Sequence, residues 1–250
     1  MHVEVEDVAL DVARWEGRPD RPPIVLLHEG LGSVSAWGDF PAALAAATGA
    51  EVVAYSRAGY GRSAVVREPF GVDYMHREAA RLPALLDRLG LQRPMLFGHS
   101  DGASIALIAA ARSPARVAAL VLEAPHVFVE DLTVASIAEI TAGYPENARL
   151  RAGLARHHAE PDVTFGRWSA IWLHPDFRSW NITALLPGVQ APTLVLQGRD
   201  DEYGTSAQVD AILAAVPRAQ ATVFSDCRHA PHRDARAGVL ERTAAFIATL

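Results

Sequence analysis

The chain opens with apolar residues at every second position. Five of them alternate with mostly polar neighbours: Val3, Val5, Val8, Leu10 and Val12. Alternation with a period of two is typical of a strand that buries one face. The first residues therefore predict two short antiparallel strands, joined as a hairpin.

Short unbroken apolar runs recur along the rest of the chain. Such runs are typical of parallel strands that are covered on both faces. Helix-length stretches separate them, and in residues 71–89 leucines follow the i, i+3, i+4, i+7 spacing of one buried stripe. Strands that alternate with helices predict an α/β fold with a mostly parallel twisted sheet of about eight strands, flanked by helices. The runs are IVLLH (24–28), VVAYS (52–56), MLFGH (95–99), VAALVLEA (117–124), TLVLQG (193–198) and ATVFS (221–225).

One interval, between Ala124 and Thr193, breaks this alternation because it contains no clear strand. A simple crossover connection needs far fewer residues. Two or three helices are predicted in the interval, at roughly 130–142, 146–158 and 161–173. We expect a core domain of residues 1–125 and 190–250, with residues 126–189 inserted as a helical cap.

Composition narrows the range of partners. A chain of 250 residues that is half apolar can bury one large core. Its formal charge of −6 leaves no basic stripe for nucleic acid, and the single Cys227 cannot form an internal disulfide. No apolar run approaches the ~18 residues of a membrane span, and no signal-peptide pattern is visible. We expect a cytoplasmic protein with a small-molecule substrate and neither nucleic acid nor membrane as partner; its oligomeric state is open.

The segment Gly-His-Ser-Asp-Gly at 98–102 joins the apolar run MLFGH to an alanine-rich helical stretch. A sharp strand-to-helix turn strains its central residue, so the flanking positions must lack bulk, as two glycines do. Ser100 would then stand clear of the sheet as a nucleophile. The backbone N–H of Asp101 would point to a developing oxyanion at the positive end of the helix. The alternative is that Ser100 is a simple helix N-cap.

A serine nucleophile needs a base and a carboxylate that orients it. Asp200 and Asp201 follow the run TLVLQG, and His229 and His232 follow ATVFS. The chain order is therefore serine, acid, histidine, as in proteins with a nucleophile elbow.

These motifs together resemble the α/β-hydrolase superfamily, specifically its small-cap serine hydrolases of the esterase and C–C hydrolase-like branch. The resemblance covers nearly the whole chain and implies a catalytic triad of Ser100, Asp201 and His229. Relatives have glycine where Arg228 stands, which leaves His232 as a weaker candidate base. The matching segments are LLHEGLGSVSAW (26–37), YSRAGYGRS (55–63), FGHSDG (97–102), LVLQGRDDEYGT (194–205) and CRHAPHRD (227–234).

The resemblance also implies an oxyanion hole. Its donors would be the backbone N–H groups of Gly30 and Asp101, with Leu31 as the next choice after Gly30. Glu29 stands where many relatives have glycine. We expect its carboxylate to brace the loop, since an unpaired buried carboxylate is costly. Alternatively, it points into the site and disfavours anionic substrates.

Aromatic residues crowd the end of the predicted cap. Such residues at helical spacing usually pack a core, but the inner face of a cap is also the roof of the pocket beneath it. We therefore expect an apolar or aromatic substrate group, in a pocket lined by Glu29, Leu31, Trp168, Trp172 and Trp180.

The sequence thus predicts a serine hydrolase that cleaves a small, apolar carboxylic ester through an acyl-enzyme. Lactone, thioester or C–C bond hydrolysis with the same triad is an alternative, as is a ligand-binding receptor that retains the pocket. No cofactor is expected, since Gly59-x-Gly61-x-x-Ala64 lacks the helix of a dinucleotide loop. No metal is expected either, because Pro231 interrupts the helix face that His229 and His232 would need.

Overall fold

The computed structural model describes all 250 residues and contains one eight-stranded sheet. Its strand order is β1-β2-β4-β3-β5-β6-β7-β8; β1 and β2 run antiparallel to their neighbours, and all other pairs are parallel. This architecture is the predicted α/β sheet with an N-terminal hairpin. The strands are β1 (His2–Val5), β2 (Val8–Trp15), β3 (Ile24–Leu27), β4 (Val52–Tyr55), β5 (Met95–His99), β6 (Leu120–Glu123), β7 (Thr193–Gly198) and β8 (Ala219–Phe224).

Helices cover both faces of the sheet. Successive residues of β3 point to opposite faces, so Val25 and Leu27 join one apolar cluster while Ile24 and Leu26 join the other. Burial on both faces explains why the strand is an unbroken apolar run. The helices are α1 (Phe40–Thr48), α2 (Tyr74–Leu89), α3 (Asp101–Arg112), α4 (Asp131–Gly143), α5 (Ala148–Ala155), α6 (Pro161–Trp172), α7 (Ser206–Ala215), α8 (Pro231–Asp234) and α9 (Arg236–Ile247).

The segment between β6 and β7 adds no strand to the sheet. It contains α4, α5 and α6, which lie close to the positions at which the sequence predicts two or three helices. A single antiparallel bridge between Phe128 and Asn181 joins the two ends of this insertion. No helix of the protein is both long enough and apolar enough to cross a lipid bilayer.

The parallel strands bring their carboxyl ends to one edge of the sheet. The residues that follow these strands are the natural place for a ligand or active site in an open α/β sheet. Five polar or flexible positions lie just beyond the ends of β3, β5, β6, β7 and β8: Gly30, Ser100, His126, Asp201 and His229.

Candidate active site

The turn between β5 and α3 holds Ser100 in a strained conformation, with φ of 53° and ψ of −118°. A Cβ on Gly102 would lie 2.0 Å from the carbonyl oxygen of Leu27, and a Cβ on Gly98 would lie 2.4 Å from that of Gly102. Glycine is therefore required on both sides of the serine. The Ser100 side chain makes no capping hydrogen bond to α3, so the structure does not support the N-cap interpretation.

A serine, a histidine and an aspartate form a hydrogen-bonded series at this edge of the sheet. The Oγ of Ser100 lies 3.0 Å from Nε2 of His229. Nδ1 of His229 lies 2.8 and 2.9 Å from the two carboxylate oxygens of Asp201. Because a carboxylate only accepts, Nδ1 carries the proton and Nε2 is free to accept from the serine hydroxyl. Asp201 also accepts from the Tyr203 backbone and the Gln197 amide, which hold it in place.

The electrostatics of the pair favour proton uptake by His229. Burial lowers the pKa of the His229 ring, but the hydrogen bond and negative charge of Asp201 outweigh burial and leave that pKa above its usual value. Burial likewise raises the pKa of the Asp201 carboxyl, but His229 outweighs it and leaves the pKa lowered. The arrangement can therefore remove the hydroxyl proton of Ser100 and stabilise the imidazolium that results.

Arg228 does not prevent His229 from reaching the serine. Its side chain turns outward and forms an ion pair with Glu202 at 2.9 Å. Asp226, two residues earlier, adopts a left-handed backbone conformation with φ of 53°. The loop thus turns sharply at Asp226, two residues before Arg228.

His232 is buried and does not take part in the hydrogen bonds that link Ser100, His229 and Asp201. Its Nδ1 bonds to the carboxylate of Glu123 at 2.7 Å. Next to it, Nε2 of His99 donates to the backbone carbonyl of His229 at 2.7 Å. Both contacts fix the backbone on which the His229 ring is mounted.

Two backbone N–H groups are available for an oxyanion. Neither Gly30 nor Asp101 donates its amide to any acceptor within the protein, and the same holds for Leu31. A Cβ on Gly30 would come within 2.3 Å of the Trp168 indole, so a side chain at position 30 would displace that ring. The geometry suits Gly30 and Asp101 as a donor pair and leaves Leu31 as the alternative to Gly30.

A buried arginine links the Gly30 loop to the nucleophile turn. The guanidinium of Arg57 donates to the carbonyls of His28 and Glu29 and lies 3.9 Å from the carboxylate of Asp101. The Tyr74 hydroxyl donates to the same carboxylate at 2.8 Å. Arg57 therefore sets the distance between the loops that carry the two candidate oxyanion donors.

The Glu29 side chain does not brace its loop by a hydrogen bond, contrary to expectation. It lines the cavity beside Ser100, and its Oε2 is 4.0 Å from Nδ1 of His99. The bracing comes from Arg57, which bonds the backbone carbonyl of Glu29 instead. A quarter of the carboxylate side chain is exposed, and this residual hydration explains why it can remain unpaired.

A cavity of about 250 Å³ lies over Ser100 and His229. Of the predicted pocket residues, Glu29, Leu31, Trp168 and Trp172 line it. The sequence did not predict several other lining residues. One of them, His126, lies just beyond the carboxyl end of β6, a position that is typical of ligand sites in open α/β sheets. The main residues missed are His99, His126, Thr133, Ile137, Tyr203 and Arg233.

Trp180, the fifth predicted pocket residue, does not line the cavity. α6 ends at Trp172, and residues 175–179 form a short 3₁₀ turn that begins with Pro175. The helical spacing therefore stops before position 180. The Trp180 ring stacks instead on Phe177, with ring centres 5.5 Å apart.

Comparison with known proteins agrees with this fold. Residues 22–163 match the family model described as alpha/beta hydrolase fold. The 2-hydroxy-6-oxononadienedioate/2-hydroxy-6-oxononatrienedioate hydrolase of Comamonas testosteroni is 25% identical over an alignment of 244 residues; the match covers 82% of this chain and 80% of that protein. The serine hydrolase BPHL of Mus musculus is 28% identical over 185 residues, covering 72% of this chain and 64% of its own length.

Among solved structures, the enol-lactonase from Burkholderia xenovorans LB400 superimposes with a TM-score of 0.78 at 20% identity. The match covers 99% of this chain and all of the lactonase. Since the family model spans more than half of the chain and the fold agrees, the protein belongs to the alpha/beta hydrolase fold family.

Proposed function

We propose that the protein is a serine hydrolase that cleaves a small carboxylic ester. The hydrogen-bonded series of Ser100, His229 and Asp201, set on a strained strand-to-helix turn, carries this proposal. Ser100 attacks the ester carbonyl carbon while Nε2 of His229 takes the hydroxyl proton. The resulting oxyanion is bound by the amides of Gly30 and Asp101.

The second half of the reaction uses the same groups. His229 returns its proton to the leaving alcohol, which leaves an acyl-enzyme on Ser100. Water then attacks the acyl carbon while His229 takes one of its protons. The bond between the acyl carbon and Ser100 Oγ breaks, His229 returns the proton to that oxygen, and the acid leaves. Every proton moves through one imidazole, so this mechanism requires neither metal nor cofactor.

The cavity supports a small substrate with an apolar group. Its volume of about 250 Å³ lies below the usual range of drug-sized sites, which begins at about 300 Å³. Leu31, Ile137, Trp168 and Trp172 supply an apolar lining. Glu29 faces the same space and disfavours an anionic group near the reacting carbon.

Lactone or C–C bond hydrolysis is the second candidate. The similarities to a hydrolase of a 2-hydroxy-6-oxo dienedioate and to an enol-lactonase support it. The same triad and oxyanion hole serve these reactions. A panel of chromogenic esters of increasing acyl length, run beside lactones and diketones, separates the candidates by their kcat/KM values.

We further propose that residues 126–189 act as a cap on a core of residues 1–125 and 190–250. α4 supplies Thr133 and Ile137 to the cavity wall, and α6 supplies Trp168 and Trp172. A cytoplasmic location stays a prediction from the sequence.

The proposal predicts that a fluorophosphonate probe labels Ser100 covalently. The reason is that His229 makes the serine a nucleophile and the two free amides bind the phosphonyl oxygen. Labelling is measured by intact-protein mass spectrometry. Ser100→Ala should abolish it, whereas Ser206→Ala, at an exposed serine of α7, should leave it unchanged. A wild-type protein that resists the probe contradicts the hydrolase mechanism and favours a receptor that only binds its ligand.

The raised pKa of His229 predicts the pH dependence. Only the neutral ring can accept the serine proton, so kcat/KM should fall as pH drops through a pKa above the usual value of about 6.5. The negative charge of Glu202 helps to raise this pKa. Glu202→Gln should therefore move the acidic limb of the profile to lower pH. A limb that does not move with this substitution would show that another group controls it.

A further inference from the structure

His126 is a buried histidine in the cavity wall that the proposed mechanism does not use. It is 2% exposed, and its ring centre lies 5.6 Å from that of His229 and 5.2 Å from that of Trp172. Its backbone carbonyl accepts from the Ser104 hydroxyl at 2.6 Å. The residue is therefore held firmly at the end of β6, next to the catalytic base.

Neither ring nitrogen of His126 has a hydrogen-bond partner within the protein. Nδ1 is fully buried and has no hydrogen-bond partner. Nε2 also has no partner but is not fully buried, and His126 lines the cavity. Because a buried N–H without an acceptor is rarer than an unpaired acceptor, the proton belongs on Nε2. The ring thus presents a donor to whatever fills the cavity.

This donor stays uncharged through the reaction. Burial, followed by the charge of His229, lowers the pKa of His126 to about 4. A cation at this position would oppose formation of the His229 imidazolium, but a neutral imidazole does not. His126 can therefore bind a polar group of the substrate without impairing the base beside it.

The position of His126 differs from that of the oxyanion hole. Gly30 lies against Trp168, whereas His126 lies against Trp172 and His229. A group held by His126 is thus a second polar group of the substrate and not the carbonyl that Ser100 attacks. Glu29 in the same cavity favours an uncharged group over an anion.

Building on the proposed hydrolase function, we propose that Nε2–H of His126 binds a second, uncharged oxygen of the substrate, such as a ketone. The natural substrate is then an oxygenated compound with an acceptor apart from its scissile carbonyl. A simple alkyl ester leaves this donor unpaired, which costs transition-state binding.

The test compares p-nitrophenyl esters of 4-, 5- and 6-oxo acids with esters in which a methyl branch replaces the ketone oxygen. The wild-type protein should prefer at least one oxo ester over its isostere by about three- to ten-fold in kcat/KM, as expected for one hydrogen bond. His126→Phe should abolish this preference. His126→Gln, whose side-chain amide nitrogen can take the place of Nε2, should restore part of it.

The matched control is His76→Phe, since His76 lies on α2 outside the cavity. The His76→Phe variant should keep the wild-type preference. If the His126→Phe variant does not fold because its ring is larger, His126→Leu takes its place. Absence of any preference in the wild type, or a preference that persists without the imidazole, overturns the inference. Fluorophosphonate labelling of Ser100 in the same samples shows independently whether the proposed hydrolase function still stands.

Discussion

His229→Ala should lower kcat for ester hydrolysis by about a million-fold, the scale seen when a triad histidine is removed from a serine hydrolase. Without the ring, the Ser100 hydroxyl loses the acceptor that lies 3.0 Å away and has no base. Asp201→Asn should cost less, about ten-thousand-fold, because the amide favours the wrong tautomer of His229. Single-turnover kinetics with a p-nitrophenyl ester measure both effects.

His232 provides the control for this prediction, because the sequence offers it as the other candidate base. His232→Gln can retain the hydrogen bond to Glu123 and should keep most of kcat. If this variant loses as much activity as His229→Ala, the assignment of the base is wrong. Fluorophosphonate labelling of each variant then separates loss of the nucleophile from loss of the later steps.

The second large effect concerns stability. Arg57→Met should lower the free energy of unfolding by about 3–5 kcal/mol, because it leaves a buried carboxylate without its cation. The side chains of Arg57 and Asp101 are 2% and 1% exposed. The substitution also removes the donors to the carbonyls of His28 and Glu29. Urea denaturation, followed by circular dichroism, measures the change.

A double-mutant cycle tests the cause of this loss. Asp101→Asn removes the unpaired charge, so the double variant should be more stable than the sum of the two single effects predicts. Arg77→Met breaks an exposed ion pair with Asp73 and should change stability little. Additive effects of Arg57→Met and Asp101→Asn would contradict a direct coupling between the two side chains.

Much of this architecture could be predicted from the chain alone. Apolar runs buried on both faces identify β3, β5 and β7, and the positions of the three insertion helices follow from periodicity. The Gly-x-Ser-x-Gly segment predicts the turn at Ser100 because only glycine fits the contacts that positions 98 and 102 make. These signals are local: each depends on backbone conformation and burial within a few residues.

The choice between His229 and His232 needed the tertiary structure, because Arg228 departs from the family pattern. So did the direction of the Glu29 carboxylate, which faces the cavity, while Arg57, 28 positions further along the chain, bonds the backbone carbonyl of Glu29. The positions of the Trp180 and His126 side chains relative to the cavity were likewise not predicted correctly from the sequence. Sequence spacing placed Trp180 in the pocket, yet the turn at Pro175 directs its ring onto Phe177.

The amino-acid pattern thus specified the sheet, the strand-to-helix turn at Ser100 and the chain order of the proposed triad residues, because periodicity and glycine placement act over short distances. The folded chain decided which side chains face the cavity. Those directions are set by contacts between segments far apart in sequence, such as His126 beside His229 and Arg57 beside Asp101. No local pattern encodes such contacts, since each depends on where two loops meet at the edge of the sheet.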